Sequence, residues 1–210
     1  MLRILLADDH AVVRQGVKQI LADAFARATF GEAQNAQQLL ELVSSERWDI
    51  VVLDLNMPGG NGLEALKQIK HNYPQLPVLI LSMYPEDQYA VRAIRAGASG
   101  YLTKNKAARE LIAAVQRVAS GKKYIAPGVG EQLAVELEMD SKEPPHKKLS
   151  DREYQVMCMI ASGKPVKQIA DELSLSVSTI STNRTRILRK MKLKNNAEIT
   201  RYALKEGLTE

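Results

Sequence analysis

Three carboxylates, a hydroxyl and an ammonium stand where short apolar runs end. Asp8 and Asp9 follow the run 2–7, Asp54 comes near the end of 49–55, Ser82 closes 77–82, and Lys104 follows 98–102. Taken singly, Asp8 or Asp9 could cap a helix, Ser82 could merely end a strand, and Lys104 could lie in a solvated loop. Together they describe a site. Crowded carboxylates raise one another's pKa, and a hard divalent cation with oxygen ligands relieves the repulsion. Mg2+ does so while keeping several waters. The charges of three carboxylates, Mg2+ and Lys104 cancel, so the set can take on further negative charge. Transfer of a phosphoryl group to a carboxylate nucleophile, giving an acyl phosphate, is chemistry that such a set supports. Asp54, ending the most buried run, is the best-placed nucleophile.

These residues need a scaffold that gathers strand ends. The runs 2–7, 49–55, 77–82 and 98–102 read as strands, with a weaker candidate at 28–33. Helical spacing predicts helices between and after them. The first, 11–24, carries Val12, Val13, Val17, Ile20 and Leu21; the second, 35–47, buries Leu39, Leu40, Leu42 and Val43. Others follow at 61–71, 86–96 and 107–120, and Asn61 with Glu64 forms a capping-box pattern. Five βα units predict an α/β fold, a parallel sheet covered on both faces. Ligands of such sheets bind outside the carboxyl ends of the strands, where all five residues fall.

The chain has 210 residues, 25% charged and 45% hydrophobic, with one Cys. That excludes a disulfide framework and a Cys-rich zinc site and fits a reducing compartment. No apolar run is long enough to span a membrane, and the N-terminus meets Asp8 too soon for a signal peptide. The expectation is a cytoplasmic protein without membrane contact. Charge divides the chain: residues 1–124 carry net +3, residues 125–146 net −4 and residues 147–210 net +6. We read these as a first domain, a linker with a possible short helix at 130–139, and a second domain. The linker ends in Ser141-Lys142-Glu143-Pro144-Pro145, which cannot continue a helix.

After the linker only helices are predicted. Ser150 and Glu153 form a capping box for a helix that Gly163 ends. A two-turn helix spans 166–173, Ser176 caps a helix over 177–191, and Asn195 with Glu198 caps a last helix to Lys205. On helix 177–191, Ile180, Ile187, Leu188 and Met191 share a core face. Ser178, Ser181, Thr182, Thr185, Arg186 and Arg189 share the opposite one, without an acid or a large apolar side chain. Solvated helix faces usually mix signs, and this one does not. A short helix, a tight turn and a basic helix read as a helix-turn-helix, whose second helix enters the DNA major groove. Cys158, among Met157, Met159 and Ile160, reads as a packing residue.

Two resemblances follow. Asp8-Asp9, Asp54 with the following 56–62 segment, Ser82, Gly100-Tyr101-Leu102 and Lys104 resemble the signature of a two-component receiver domain, over roughly 2–122. The resemblance implies a five-stranded flavodoxin-like fold in which Asp54 accepts phosphate from a cognate sensor histidine kinase. It implies that Asp8, Asp9, Asp54 and the backbone carbonyl of Asn56 hold Mg2+. Ser82 would bond the phosphoryl group, Tyr101 would switch rotamer with it, and Lys104 would pair with its oxygens. Met83 is bulkier than the small residue many receivers carry there.

Residues 149–208 resemble the LuxR-type DNA-binding domain, through Leu149-Ser150-Asp151-Arg152-Glu153, 169–173, 176–180 and 187–191. A receiver followed by this domain is similar to response regulators of the NarL/FixJ type, DNA-binding transcriptional regulators that dimerise on phosphorylation. The resemblance implies that Ser181, Thr182 and Thr185 lie nearest the bases of double-stranded DNA. Lys167, Ser178, Thr179, Arg186, Arg189 and Lys190 would serve mainly phosphates, and the last helix would form much of the homodimer contact. The sequence departs from the common pattern at Pro165, Ser178 and Asn183. Not an enzyme is the favoured reading. The alternatives are an aspartyl-phosphate phosphatase-like enzyme, which would need a general acid where Asn56 stands, and a receiver with an RNA- or protein-binding output, for which residues 147–210 offer no aromatic platform.

Overall fold

The computed structural model describes residues 1–57, 62–84, 86–106, 108–126, 129–130 and 144–209. Asn61 of the expected capping box, the 58–60 part of the receiver motif and most of the expected helix 130–139 lie outside the described residues. The chain divides into two compact units, Met1–Ala134 and Val135–Glu210.

In the first unit β1 (Arg3–Ala7), β2 (Thr29–Ala33), β3 (Ile50–Leu53), β4 (Val78–Ser82) and β5 (Gly100–Thr103) alternate with α1 (Ala11–Ala24), α2 (Ala36–Ser45), α3 (Gly62–Asn72), α4 (Glu86–Arg95) and α5 (Ala108–Ala119). The sheet order is β2-β1-β3-β4-β5, and every pair is parallel. The winding reverses at β1, so the ligand crevice opens over the ends of β1 and β3. Ile4, Leu6, Ile50, Val52, Leu79, Leu81 and Leu102 form one apolar layer with Leu21 of α1 and Leu111, Val115 and Val118 of α5. The alternate strand residues Leu5, Val51, Leu53 and Ile80 are equally buried, as a sheet covered on both faces requires. Each fully buried Leu or Ile contributes about 1.5–3 kcal/mol of transfer free energy.

Some expectations shift. Val12 is 86% exposed, and Arg14 is buried instead. The inward face of α1 runs through 14, 17 and 21, and position 12 lies nearly opposite at about 100° per residue. On α2, Leu39 and Val43 are buried while Leu40 and Leu42 are half-buried. Asn35 stands outside α2 as its cap, accepting the Gln38 N–H at 2.8 Å. The edge strand β2 signalled weakly because its middle residue is Gly31. A Cβ there would lie within 2.2 Å of the Trp48 ring.

The second unit holds a 3-10 turn (Pro145–Lys148), then α6 (Asp151–Ala161), α7 (Val166–Glu172), α8 (Val177–Met191) and α9 (Asn196–Lys205). Helix α6 is buried from Glu153 to Ala161 and forms the centre against which α8 and α9 pack. Both halves of its capping box form: Ser150 Oγ accepts the Glu153 N–H, and Glu153 Oε2 accepts the Ser150 N–H at 2.8 Å. Gly163 ends the segment at φ +80°, returning its N–H to Ile160 O at 3.0 Å. Ser174, at φ 51°, turns the chain from α7 toward α8, and Leu175 N–H closes that turn on Ala170 O. Ile180, Ile187 and Met191 are buried as expected, Leu188 is half-buried, and Asn183 is buried among them.

Two packing features generate predictions. Gly62 opens α3 directly beneath the Asp54 backbone, and a Cβ there would meet Asp54 O at 2.5 Å and Leu55 Cα at 2.6 Å. Gly62→Ala should cost about 1–3 kcal/mol of stability, read by denaturant titration. Glu153 links α6 to α8 through Lys190 Nζ at 2.6 Å. Burial would raise its pKa, but Lys190 and the Ser150 N–H outweigh burial and lower it. A depressed carboxyl contributes stability above its unfolded pKa and loses it as pH falls through the folded value. Calorimetry of the whole chain should therefore show a transition that weakens on acidification below the ordinary carboxylate range. Glu153→Gln should lower that transition at neutral pH by about 1–3 kcal/mol and flatten its acid dependence.

Candidate functional site

The register of the sheet sets the site. Ala7 pairs with Leu53, so Asp8 and Asp54 leave adjacent strands at one level. Asp54 N–H bonds Ala7 O at 2.8 Å and Asp8 N–H bonds Ala33 O at 3.1 Å. Ser82 pairs with Thr103, and Lys104 N–H bonds Ser82 O at 2.8 Å. From there Lys104 Nζ reaches Asp54 Oδ2 at 2.7 Å and Asp8 Oδ2 at 2.6 Å. All five residues that the strand ends single out are thus gathered on one edge.

Asp54 is only 2% exposed. Its Oδ2 takes the lysine while its Oδ1, also buried, has no aligned donor among the described residues; against the larger effect of burial, the nearby Asn56 N–H adds a smaller pull that lowers the pKa of the carboxyl. Asp9 Oδ1 is likewise buried without an aligned donor among the described residues; His10 Nδ1 approaches it to 2.9 Å without hydrogen-bond alignment. Asp8, Asp9, His10 and Asp54 each offer a ligand atom, all within 4.8 Å of one another. Two orphaned carboxylate oxygens inside such a set are what a hard cation takes up. Burial raises the Asp54 pKa, and the neighbouring Asp8 charge adds to it, against the opposing pull of Lys104. Burial alone would lower Lys104; the charges and hydrogen bonds of Asp54 and Asp8 outweigh it and hold the ammonium above its ordinary value.

Around the acids stands an aromatic strap in which Tyr84 and Tyr89 join the Tyr101 that the sequence singled out. Ser82 is fully buried, and its Oγ accepts the Tyr84 N–H at 3.2 Å. The buried Tyr101 donates its hydroxyl to Tyr84 O at 2.9 Å, and Tyr84 donates its own to Asn56 Oδ1 at 3.2 Å. Tyr84 also stacks on Tyr89, with ring centroids 4.4 Å apart. Tyr84 and His10 carried no spacing signal. Arg14 carried one: a charged residue in register with Val17 and Leu21 on the inward face of α1.

On α8 the polar face stands as its spacing predicts. Ser178, Thr179, Ser181, Thr182, Thr185, Arg186 and Arg189 are exposed, as is Lys167 on α7. Thr182 and Thr185 donate their hydroxyls to Ser178 O and Ser181 O, which leaves oxygen lone pairs and methyls outward. Lys190 turns back to Glu153. Asn183 donates to Thr179 O at 3.0 Å on the core side, away from the polar face.

Residues 4–116 match the family described as Response regulator receiver domain, and residues 147–203 the family described as Bacterial regulatory proteins, luxR family. Among similar proteins are response regulator UvrY of Escherichia coli K12, 34% identical over 99% of this chain and 96% of UvrY, and response regulator GacA of Pseudomonas aeruginosa, 34% identical over 100% of this chain and 99% of GacA. RcsB from Salmonella enterica serovar Typhimurium, solved bound to promoter P1flhDC with the phosphomimetic BeF3-, aligns at a TM-score of 0.59 and 26% identity, covering 96% of this chain and 97% of that one. Acid pocket, sheet order and helix-turn-helix agree with both domain matches, and the chain belongs to the two-component response regulators of the NarL/FixJ type, which join a receiver domain to a LuxR-type DNA-binding domain.

Proposed function

We propose that Asp54 accepts a phosphoryl group from a sensor histidine kinase and that this modification promotes homodimerisation and operator binding by the 147–210 domain. The observation that carries the reading is the divided carboxylate of Asp54. Oδ2 is held by Lys104, and Oδ1 is buried with no aligned donor among the described residues, so one oxygen is anchored while the other is open to a cation or a phosphoryl group. Asp8, Asp9, Asp54 and the backbone carbonyl of Asn56 would hold Mg2+. When bound, the ion supplies positive charge to the oxygens of the transferring phosphoryl group. Lys104 stands ready to pair with one of those oxygens, and Ser82 to donate to another. Tyr101 is tied to the loop that follows Ser82 through Tyr84 O, so a movement of Ser82 toward the phosphoryl group would be felt by the ring. Asn56 cannot act as the general acid that a phosphatase needs two residues past its nucleophile.

For DNA, Ser181, Thr182 and Thr185 are proposed to face bases, and Lys167, Ser178, Thr179, Arg186 and Arg189 to face phosphates. Lys190 serves Glu153 first and joins the phosphate contacts only if it leaves that pair. The relative solved on a promoter supports DNA binding by this chain, and the exposed polar face of α8 is the surface we assign to it. We place the connector at 125–146 and the protein in the cytoplasm. Among the described residues no helix is long and apolar enough to cross a membrane.

Asp54→Asn should keep salt-sensitive basal DNA binding and lose the gain in dimer fraction and affinity that a small acyl-phosphate donor gives the wild type. Asp9→Ala should abolish both Mg2+ binding and phosphorylation. Light scattering with DNA titration reads the first and calorimetric Mg2+ titration the second; a wild type indifferent to the donor would overturn the switch. Arg189→Ala should weaken binding to all sequences and reduce the salt slope by about 1. Thr182→Ala should change preference at one base pair by about 1–3 kcal/mol. The reverse pattern in binding-site selection would overturn the division of the helix face.

A further inference from the structure

Arg14 is 6% exposed, although arginine is almost never buried unless paired. Among the described residues its hydrogen bonds go to none of the carboxylates that gather around Asp54. Its Nη1 donates to the backbone carbonyl of Asp8 at 2.7 Å, and its Nε donates to Glu32 Oε2 at 2.9 Å. Glu32 is held in turn by Lys18 Nζ at 2.7 Å and Gln15 Nε2 at 3.0 Å. Those contacts lower the Glu32 pKa, Lys18 first and Arg14 next, so the arginine has a charged partner. The neighbour of Glu32 on β2, Ala33, accepts the N–H of Asp8 at 3.1 Å. The backbone of Asp8 is therefore clamped at both ends, by β2 on its N–H and by Arg14 on its C=O.

The clamp matters most for Asp9. The Asp8 carboxylate has its own guides, Lys104 Nζ at 2.6 Å and the His10 N–H at 2.9 Å. Asp9 Oδ1 has no aligned donor among the described residues, only the exposed His10 ring nitrogen 2.9 Å away, so the orientation of its main chain does most to aim that carboxylate at Asp54. That orientation begins with the Asp8–Asp9 peptide, whose oxygen Arg14 holds. Arg14 and Asp54 also line one small pocket with Asp8, Val17 and Val52, so the arginine borders the same small space as the acids.

We propose that Arg14 is a positioning residue for the divalent-cation site, fixing the Asp8–Asp9 peptide so that Asp9 faces Asp54. The proposal rests on the reading of the acid pocket as a Mg2+ site. Partners that orient metal ligands typically change affinity by about 10–100-fold when removed. A plain tie between α1 and β2 would instead cost stability and leave cation binding alone.

The test uses the full chain as wild type, Arg14→Met, Arg14→Lys and Glu32→Gln. Calorimetric titration with Mg2+ gives affinity, phosphorylation by a small acyl phosphate at varied Mg2+ gives a rate profile, and thermal unfolding without metal gives stability. Arg14→Met should weaken Mg2+ binding about 10-fold. It should raise the Mg2+ needed for half-maximal phosphorylation by a similar factor, with the rate at saturating Mg2+ largely kept. Arg14→Lys, which can still reach the Asp8 carbonyl, should restore part of the affinity. Glu32→Gln should lower the thermal midpoint with little change in Mg2+ affinity. A folded Arg14→Met protein with wild-type Mg2+ affinity overturns the proposal. If that variant does not fold, the Arg14 Nε–H resonance of the wild type decides: it should move with the same Mg2+ midpoint as the calorimetric titration, and a resonance unmoved at saturation overturns the coupling. A wild type that binds no Mg2+ overturns the reading of the pocket itself, and this proposal with it.

Discussion

One ammonium joins three strands. Lys104 leaves β5 with its backbone N–H on Ser82 O and reaches past the end of β4 to carboxylates on β3 and β1. That span exists only in a sheet ordered β1-β3-β4-β5, because each strand must deliver its residue at one level along the carboxyl edge. Ser82 sits beneath the path as a small, fully buried side chain. Gly62 lets α3 start against the Asp54 backbone, where a Cβ would meet the Asp54 carbonyl. The fold is in this sense the set of constraints that lets one lysine meet two aspartates.

The same contact defines what the pocket lacks. A single ammonium divided between Asp8 and Asp54 leaves the set of three acids short of positive charge. Burial multiplies the shortage, because charged groups in low dielectric interact more strongly and lose their water. Desolvation is the larger influence on Asp54, and its carboxyl is raised even with Lys104 at hydrogen-bond distance. An acid group that is buried, close to a cation and still held toward neutrality is in a poised state. Added positive charge would favour the ionised form and oppose the upward pull of burial. An added phosphoryl group would then give the lysine a new anionic partner. Both changes act on an interaction that spans β1, β3 and β5, so neither stays local to Asp54.

Much of this was legible because the sheet reads out simply. Asp8, Asp9, Asp54, Ser82 and Lys104 each terminate or follow an apolar run, and a parallel sheet places all such ends on one side whatever the helices do. Side chains that act across elements were not legible. Tyr84 matters because its hydroxyl meets Asn56 and its carbonyl meets Tyr101, contacts between loops with no fixed spacing. Arg14 could have been found: positions 14, 17 and 21 share a face, and a charge there demands a buried partner. Val12 misled for the converse reason, since β-branched residues at the start of a helix look like core until the helical phase is set by its later turns. In the second domain the caps at Ser150, Ser176 and Asn195 were legible as local chemistry. The burial of Asn183 was available from its phase with Ile180 and Ile187.

The internal bonds of the second domain also change how the basic helix is to be understood. Counted along 175–194, six basic residues and no acid suggest a strong, undirected attraction for a polyanion. In the fold Lys190 is paired with the buried Glu153, and Arg184 gives its Nε–H to Asn196 Oδ1 at 2.6 Å, fastening α8 to α6 and α9. Lys192 and Lys194 lie beyond the last helical residue. The exposed face of the helix itself is left with Arg186 and Arg189, below a first half of serine and threonine. Counterion release scales with the number of phosphates neutralised, so this face alone gives a modest sequence-independent affinity. A helix of that kind gains little from one half-site, and its short side chains permit close approach without much attraction of their own. Under the proposed dimerisation, joining two copies would add affinity, because the second contact is made at high effective concentration. The charge that the second domain commits to its own packing is thus a physical reason why the proposed association of two copies would strengthen the output.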